Sequence, residues 1–354
     1  MSREGGIFIV KIAGFTYRNA ADRFEPGQPT TLEIEQRDNE ASRLTLMVFD
    51  RVDPTSTPPY VEFNRFPNPR KVEDVLVQAW IGWADESLIK VFEGNLVIKS
   101  MDEEIPSCTK FVALDDTYKL RKRGKGLTLK NLSVRAMLKK KGAEHGVDVQ
   151  FDPSVAGDPA LNEPMAVFYQ ISETNWDLMN RYIRELGYIT FNKERNILVV
   201  TRDKESADVF TVRYGDERIK RFSLREENKK DDRSPKRRGH HHEVTAGLQA
   251  HYPREVLVPN DSGKGTHWQE AALARDAKEH QHTLAKHAVT GKAKRREKEG
   301  DEATLEIRME PHLINHVRIA VEGFGPDIDS IYESRMLRHS CGREWTTSIE
   351  LWRP

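Results

Sequence analysis

The feature that most constrains this chain is a period-two alternation of apolar and polar residues at both of its ends. Near the start the runs are IFIVKIAGF, TTLEIEQRD, RLTLMVFD, VLVQAWIGW and LIKVFEGNLVIK, separated by clusters of Pro, Gly, Asn and Asp. Successive side chains of a strand point to opposite faces, so such runs predict antiparallel strands with one face inward. Leu44, Leu46 and Val48, interleaved with Arg43, Thr45 and Met47, show the pattern plainly. The same alternation returns after Ala303 in TLEIRME, HVRIAVEGF, SIYESRMLRHS and TTSIELWRP. Two β-regions, each best built as a barrel or sandwich, therefore bracket whatever lies between.

The middle differs. LTLKNLSVRAMLKKKGAEHG brings Leu132, Val134, Met137 and Leu138 near one another on a helix, with Gly142 or Gly146 to supply a left-handed stop. A second helix starts at Thr174, which precedes Asp177 with capping-box spacing. It continues through Trp176, Met179, Tyr182, Ile183 and Leu186 to Gly187. YITFNKERNILVVTRD reads as a hairpin turning at residues 192–195, and strands follow in ADVFTVRYGD and RIKRFSLREE. Residues 226–264 are polar and marked by Gly and Pro, which predicts a mobile insertion. Trp268 to about Val289 has helical spacing and many alanines, which predicts a connector helix. The loop at residues 50–70 holds five prolines and is expected to line an edge or reach a neighbour.

The fold expectation is thus α+β, mainly β, with two tube-forming β-barrel domains bracketing or interleaved with a mixed middle. The expected domains are residues 1–112, a first barrel; 113–226, mixed α+β; 227–302, a polar loop and connector; and 303–354, strands completing a second barrel.

Composition narrows the function. At 354 residues the chain can hold two or three cores. Charged residues make up 32% of it but cancel to a net charge of zero, which disfavours a polyanion binder. Cys108 and Cys341 are too few and too far apart for a disulfide framework or a Cys-x-x-Cys site, and read as buried thiols. No apolar stretch approaches the ~18 residues of a membrane helix, so no membrane anchor is expected.

Each candidate for chemistry has a simpler explanation. His240, His241 and His242 are adjacent on a loop and fan apart instead of converging on a metal. His280, His282 and His287 fit a solvated helix; seven residues of helical rise separate the outer two by about 10 Å. Lys229, Lys230, Lys236, Arg237 and Arg238 are interrupted by Asp231 and Asp232 and lack interleaved aromatics. RKRGKGLT, residues 121–128, lacks P-loop spacing and reads as a turn before a helix. GxSxG, HExxH and Cys/His motifs do not occur in the sequence. No catalytic residue, metal site or cofactor is assigned, and an enzyme is not expected.

The order of segments resembles the phage late control D family, baseplate hub proteins of contractile tails related to the hub part of type VI secretion spike proteins. AVFYQISETNWDLMNRYIRELGYITF, residues 166–191, is the most specific part: a strand, a Gln-containing turn, a Thr-Asn-Trp helix start and a Leu-Gly exit. GKGLTLKNLSVRAMLKKKGAEHGVDVQF, RFEPGQPTTLEIEQRDNEASRLTLMVFD and the closing VRIAVEGFGPDIDSIYESRMLRHSCGREWTTSIELWRP are similar to the family's preceding helix, opening strands and ending. Ser330 stands where the family often has Gly, and the His-rich stretch at 229–300 has no counterpart.

The resemblance implies a homotrimer whose subunits each give two related barrels to a pseudo-sixfold ring. Such a ring would join a hexameric tail tube protein to a trimeric central spike protein, with other baseplate proteins and the tape measure protein as further partners. DNA would pass along the axial channel without sequence-specific binding. The implied location is the virion baseplate, assembled in the host cytoplasm, and the interface residues stay unassigned. One alternative is the hub of a phage-derived injection system or pyocin-like particle. Others are a cell-wall hydrolase, disfavoured because no motif appears and no further domain is expected after Pro354, and a carbohydrate-binding module using Trp80, Trp83 or Trp345.

Overall fold

A computed structural model describes residues 5–19, 29–49, 63, 65, 66, 68, 69, 74–102, 108–121, 127–170, 173–193, 196–201, 207–225, 244–245, 253–259, 266–272 and 302–353. The chain is mainly β with a few helices, as the alternation predicts. It divides into two compact units. The first comprises Met1–Asp116, Asp208–Leu224 and Glu302–Trp352; the second comprises Thr117–Ala207, Arg225–Asp301 and Arg353–Pro354.

The first half of the first unit is built from β1 (Gly6–Ile12), β2 (Phe15–Arg18), β3 (Pro29–Arg37), β4 (Arg43–Phe49), β5 (Leu76–Trp83), β6 (Ile89–Asp102) and β7 (Cys108–Leu114). Their order across the sheet is β3-β4-β7-β6-β5-β1-β2, antiparallel throughout. Alternate residues point to a single core: Phe8, Val10 and Ile12 from β1, Leu32 and Ile34 from β3, Leu44, Leu46 and Val48 from β4, and Phe111 and Ala113 from β7. A sheet that sends every strand's inner residues into one cluster is curled around it. The opening run IFIVKIAGF is not one strand but a strand and a turn. Ala13 and Gly14 have φ of 47° and 89°, as a two-residue hairpin turn requires, and Ile12 pairs with Phe15 across it.

The second half uses β13 (Asp208–Arg213), β14 (Ile219–Arg225), β18 (Glu302–Arg308), β19 (Val317–Glu322), β20 (Ser330–Cys341) and β21 (Thr346–Trp352). These surround a separate core that includes Val212, Leu305, Ile307, Ile319, Tyr332, Leu337, Ile349 and Leu351. β13 pairs in parallel with β19, although more than a hundred residues of sequence separate them. β20 joins the two halves. One of its edges pairs with β21, while the other pairs first with β19 and then with β3. The handover coincides with a register shift between Ser334 and Met336, where a bulge re-aims the strand. One sheet of 13 strands therefore runs through both halves.

In the second unit, β8 (Leu127–Ser133) pairs with β10 (Pro164–Gln170), while β11 (Tyr188–Lys193) and β12 (Asn196–Thr201) form the expected hairpin beside β9 (Val149–Phe151). The helix Val134–Ala143 is capped by Ser133, and Gly146 takes φ of +70° just beyond it. The helix Asn175–Glu185 has the capping box the sequence predicts. The Asp177 N–H donates to Thr174 Oγ1 at 3.0 Å, and the Thr174 N–H donates to Asp177 Oδ2 at 3.3 Å. Trp176, Met179, Tyr182 and Ile183 face the core, and Gly187 ends the helix with φ of +85°.

One expectation is corrected. Residues 268–272, read as the start of a connector helix, lie in strand β17 (Thr266–Ala272), antiparallel to β16 (Pro253–Pro259), with β15 (Val244–Thr245) parallel on its other side. The helical spacing around Trp268 is weakly amphipathic, and ladder pairing with REVLV at 254–258 overrides so small a preference. β15 and β16 likewise put strands inside the segment read as an insertion. The remainder of 226–300, with its three histidine and lysine/arginine groups, lies outside the described residues, as do 50–62 of the proline-rich loop and 122–126 of RKRGKGLT.

Candidate functional site

Among the described residues no group of three or more His, Cys, Asp and Glu side chains is placed to hold a metal ion. No helix among them is long and apolar enough to cross a membrane. One connected set of polar contacts lies at the seam where β20 meets β3.

On the outer face of the seam, Glu35 of β3 accepts hydrogen bonds from Arg338 Nε of β20 at 3.0 Å and from Arg37 Nε at 2.9 Å, and Arg37 reaches Glu350 of β21 at 3.4 Å. Partial burial works against the Glu35 carboxylate, but the hydrogen bonds from Arg338 and Arg37 outweigh it and hold its pKa below the usual range. All four side chains remain partly in solvent, so the network orients the strands more than it stabilises them.

Beneath it lies a buried lock. The Asn315 N–H donates to Gln36 Oε1 at 3.0 Å, Asn315 Nδ2 donates to Asp38 Oδ1 at 2.9 Å, and Ser334 Oγ donates to the Asn315 carbonyl at 2.5 Å. The β18–β19 connection is thereby tied to the end of β3. His339, fully buried on β20, completes the arrangement. Its Nε2 lies 3.2 Å from the Leu313 carbonyl, an acceptor only, so Nε2 carries the proton. Its Nδ1, 3.0 Å from Thr347 Oγ1, then accepts from that hydroxyl, which itself accepts the Glu310 N–H at 3.0 Å. Burial disfavours the imidazolium and outweighs the Leu313 acceptor, lowering the His339 pKa to about 4.

The aromatic residues singled out from sequence are structural for the most part. Trp83 is 3% exposed. Trp345, between β20 and β21, packs against the first core, with ring centroids 6.0 Å from Phe8 and 6.3 Å from Trp83. Trp80 is half-buried, with the Lys11 ammonium 5.2 Å from its ring centroid. Neither cysteine is joined in a disulfide. Cys341 is buried against Met309, and burial pushes its pKa up, whereas Cys108 is only half-buried.

Surfaces able to receive another chain are found at the margins of the sheet. Among the described residues β2, β13 and β14 each pair on one side only. Beside the β13 edge, Thr211, Ala320 and Ile331 form a cross-strand row with Val209 next to it; Val209 and Ile331 are 46% and 45% exposed. These are β-branched or small residues on an outward sheet face. The alternation around them marked strands but not which face stays uncovered.

No family model matches the sequence, and no curated protein matches it. Solved structures do. A tail protein from Neisseria meningitidis superposes with a TM-score of 0.63 at 13% identity, over 99% of this chain and 96% of that one. A prophage tail protein from Shewanella oneidensis gives 0.60 at 14% identity, over 100% and 97%. The fold is that of these tail proteins. An E. coli component of the type VI secretion system, described as structurally similar to the T4 bacteriophage tail proteins gp27 and gp5, gives 0.55 at 10% identity, over 98% of this chain and 76% of that one.

Proposed function

We propose that the chain is a structural subunit of a tail or baseplate hub that works by contact and performs no turnover. The observation that carries this reading is the tail-protein fold over essentially the whole chain, with two curled β halves fused into one sheet through β20 and β3. In this reading three copies form the hub, meet a hexameric tail tube protein on one side and a trimeric spike protein on the other, and leave an axial channel for DNA. The one-sided strands β2, β13 and β14 supply edges through which copies and tube subunits can be joined. Likeness to the E. coli secretion component also supports a phage-derived injection particle, which would share this architecture and differ in cargo.

Light scattering of the purified chain, followed by negative-stain imaging after addition of the tail tube protein, tests the reading. A trimer that forms rings is expected. A persistent monomer that forms no rings with tube protein would refute it.

A further inference from the structure

Three side chains from separate parts of the second unit meet at the start of the helix Asn175–Glu185. Gln170 closes β10, Asn175 is the first residue of the helix, and His145 stands in the turn that follows the helix Val134–Ala143. Gln170 and Asn175 are 2% and 6% exposed, whereas His145 is half-buried, so a proton can reach it without unfolding of the unit.

Their hydrogen bonds fix one another in turn. Gln170 Nε2 lies 3.2 Å from the Glu173 carbonyl, an acceptor only, so the amide nitrogen and not the oxygen occupies that position. The same Nε2 donates to Asn175 Oδ1 at 2.8 Å, which leaves Asn175 Nδ2 to donate to His145 Nε2 at 2.7 Å. Nε2 therefore accepts, and the imidazole is neutral with its proton on Nδ1. A proton added at Nε2 would set an N–H against the Asn175 amide nitrogen. Turning that amide over would only set Nδ2 against Gln170 Nε2, and turning both would set Gln170 Oε1 against the Glu173 carbonyl. The added charge would also stand at a helix N-terminus, where the backbone N–H groups already present positive charge. The carboxylates on the elements packed here have partners of their own. Glu144 pairs with Lys141 at 3.0 Å, Glu173 pairs with Arg181 at 2.6 Å, Asp177 accepts from Thr174 Oγ1 at 2.7 Å, and Asp148 accepts from Gln150 Nε2 at 3.2 Å. The cation beside the helix start, Arg121, lies over Trp176, 5.5 Å from its ring centroid.

We propose that His145 is a proton-operated latch, holding the turn at residues 142–147 to the start of the helix Asn175–Glu185 near neutral pH and releasing it in mild acid. The turn is shaped by its own backbone, with the His145 and Val147 N–H groups both donating to the Gly142 carbonyl, and it leads Val147 and Val149 into the core of the unit. The Asn175 contact is what ties this shape to the helix. The sign follows from the tautomer: the closed latch needs a bare Nε2, so it is complete at the upper end of the range in which histidine titrates and is lost toward the lower end. The latch lies within the second unit and holds whether or not the chain assembles into a hub.

The test is hydrogen–deuterium exchange of the full chain at about pH 7.5 and about pH 5.5, corrected for the intrinsic pH dependence of exchange and read by mass spectrometry. Peptides covering residues 142–149 should lose protection by about tenfold in acid, while β4 in the first unit keeps its own. H145Q, whose amide oxygen can accept from Asn175 but does not titrate, should show no such loss. N175D should reverse it, because a carboxylate accepts from both Gln170 Nε2 and a protonated His145 Nε2 and so holds the turn more firmly in acid. Equal protection at both pH values in the wild type, the same acid loss in H145Q, a loss shared by β4, or an N175D protein that opens in acid as the wild type does would each overturn the proposal.

Discussion

His339 offers a quantitative test of the seam. Its imidazole is fully buried and neutral, donating to Leu313 and accepting from Thr347, with its pKa lowered from 6.5 to about 4. A proton on Nδ1 would face the Thr347 hydroxyl, whose oxygen is already engaged by the Glu310 N–H. At about 1.4 kcal/mol per pH unit, this lowering corresponds to roughly 3 kcal/mol of linkage between protonation and unfolding. The sign follows from the direction. The unfolded chain takes up the proton first, so stability is complete above about pH 6.5 and is lost as pH falls toward about 4. Carboxylates with lowered pKa, such as Glu35 and Asp216, lose their contribution at still lower pH and are common to both proteins compared. The assay is urea unfolding of the wild type and H339Q, followed by tryptophan fluorescence at several pH values. H339Q should be less stable at neutral pH, and the gap between the proteins should close by about 3 kcal/mol across that window. Parallel pH curves for the two proteins, or a folded-state imidazole titrating near its ordinary value by NMR, would refute the buried-neutral assignment.

Three further outcomes follow from particular contacts. Thr174→Ala should cost about 1 kcal/mol by removing the helix cap, measured by chemical denaturation, and Thr174→Ser should restore most of it. Gly6→Ala should destabilise the first half by about 1–3 kcal/mol, because its Cβ would lie 2.2 Å from a ring atom of Trp345; a melting temperature equal to wild type would show that Trp345 is free to move. Cys341 should resist a thiol reagent until the protein unfolds, whereas Cys108 should react in the folded state, with mass spectrometry of the labelled peptides distinguishing them.

Much of the local structure can be read from neighbouring residues alone. The alternation at Leu44, Leu46 and Val48 places those side chains in the core, and Thr174 with Asp177 starts the helix where expected. Both signals are short-range, because strand facing depends on parity and a cap is complete within one turn. The reading fails where local preference is weak. Trp268 and the alanines near it suit a helix marginally, and pairing with residues 253–259 makes a strand of 266–272. The cross-strand row of Thr211, Ala320 and Ile331 was also invisible, since exposure of an outward face depends on what covers it.

The sequence by itself determined that this protein is mainly β, which face of its clearest strands turns inward, and where its capped helix begins. Only the tertiary structure decided that β20 gives one edge first to β19 and then to β3, and that β13 pairs with β19 from far along the chain. The physical reason is that every strand offers the same N–H and C=O groups along its edge. Alternation of side chains therefore selects a face, whereas the choice of neighbour rests on cores and turns assembled from distant residues.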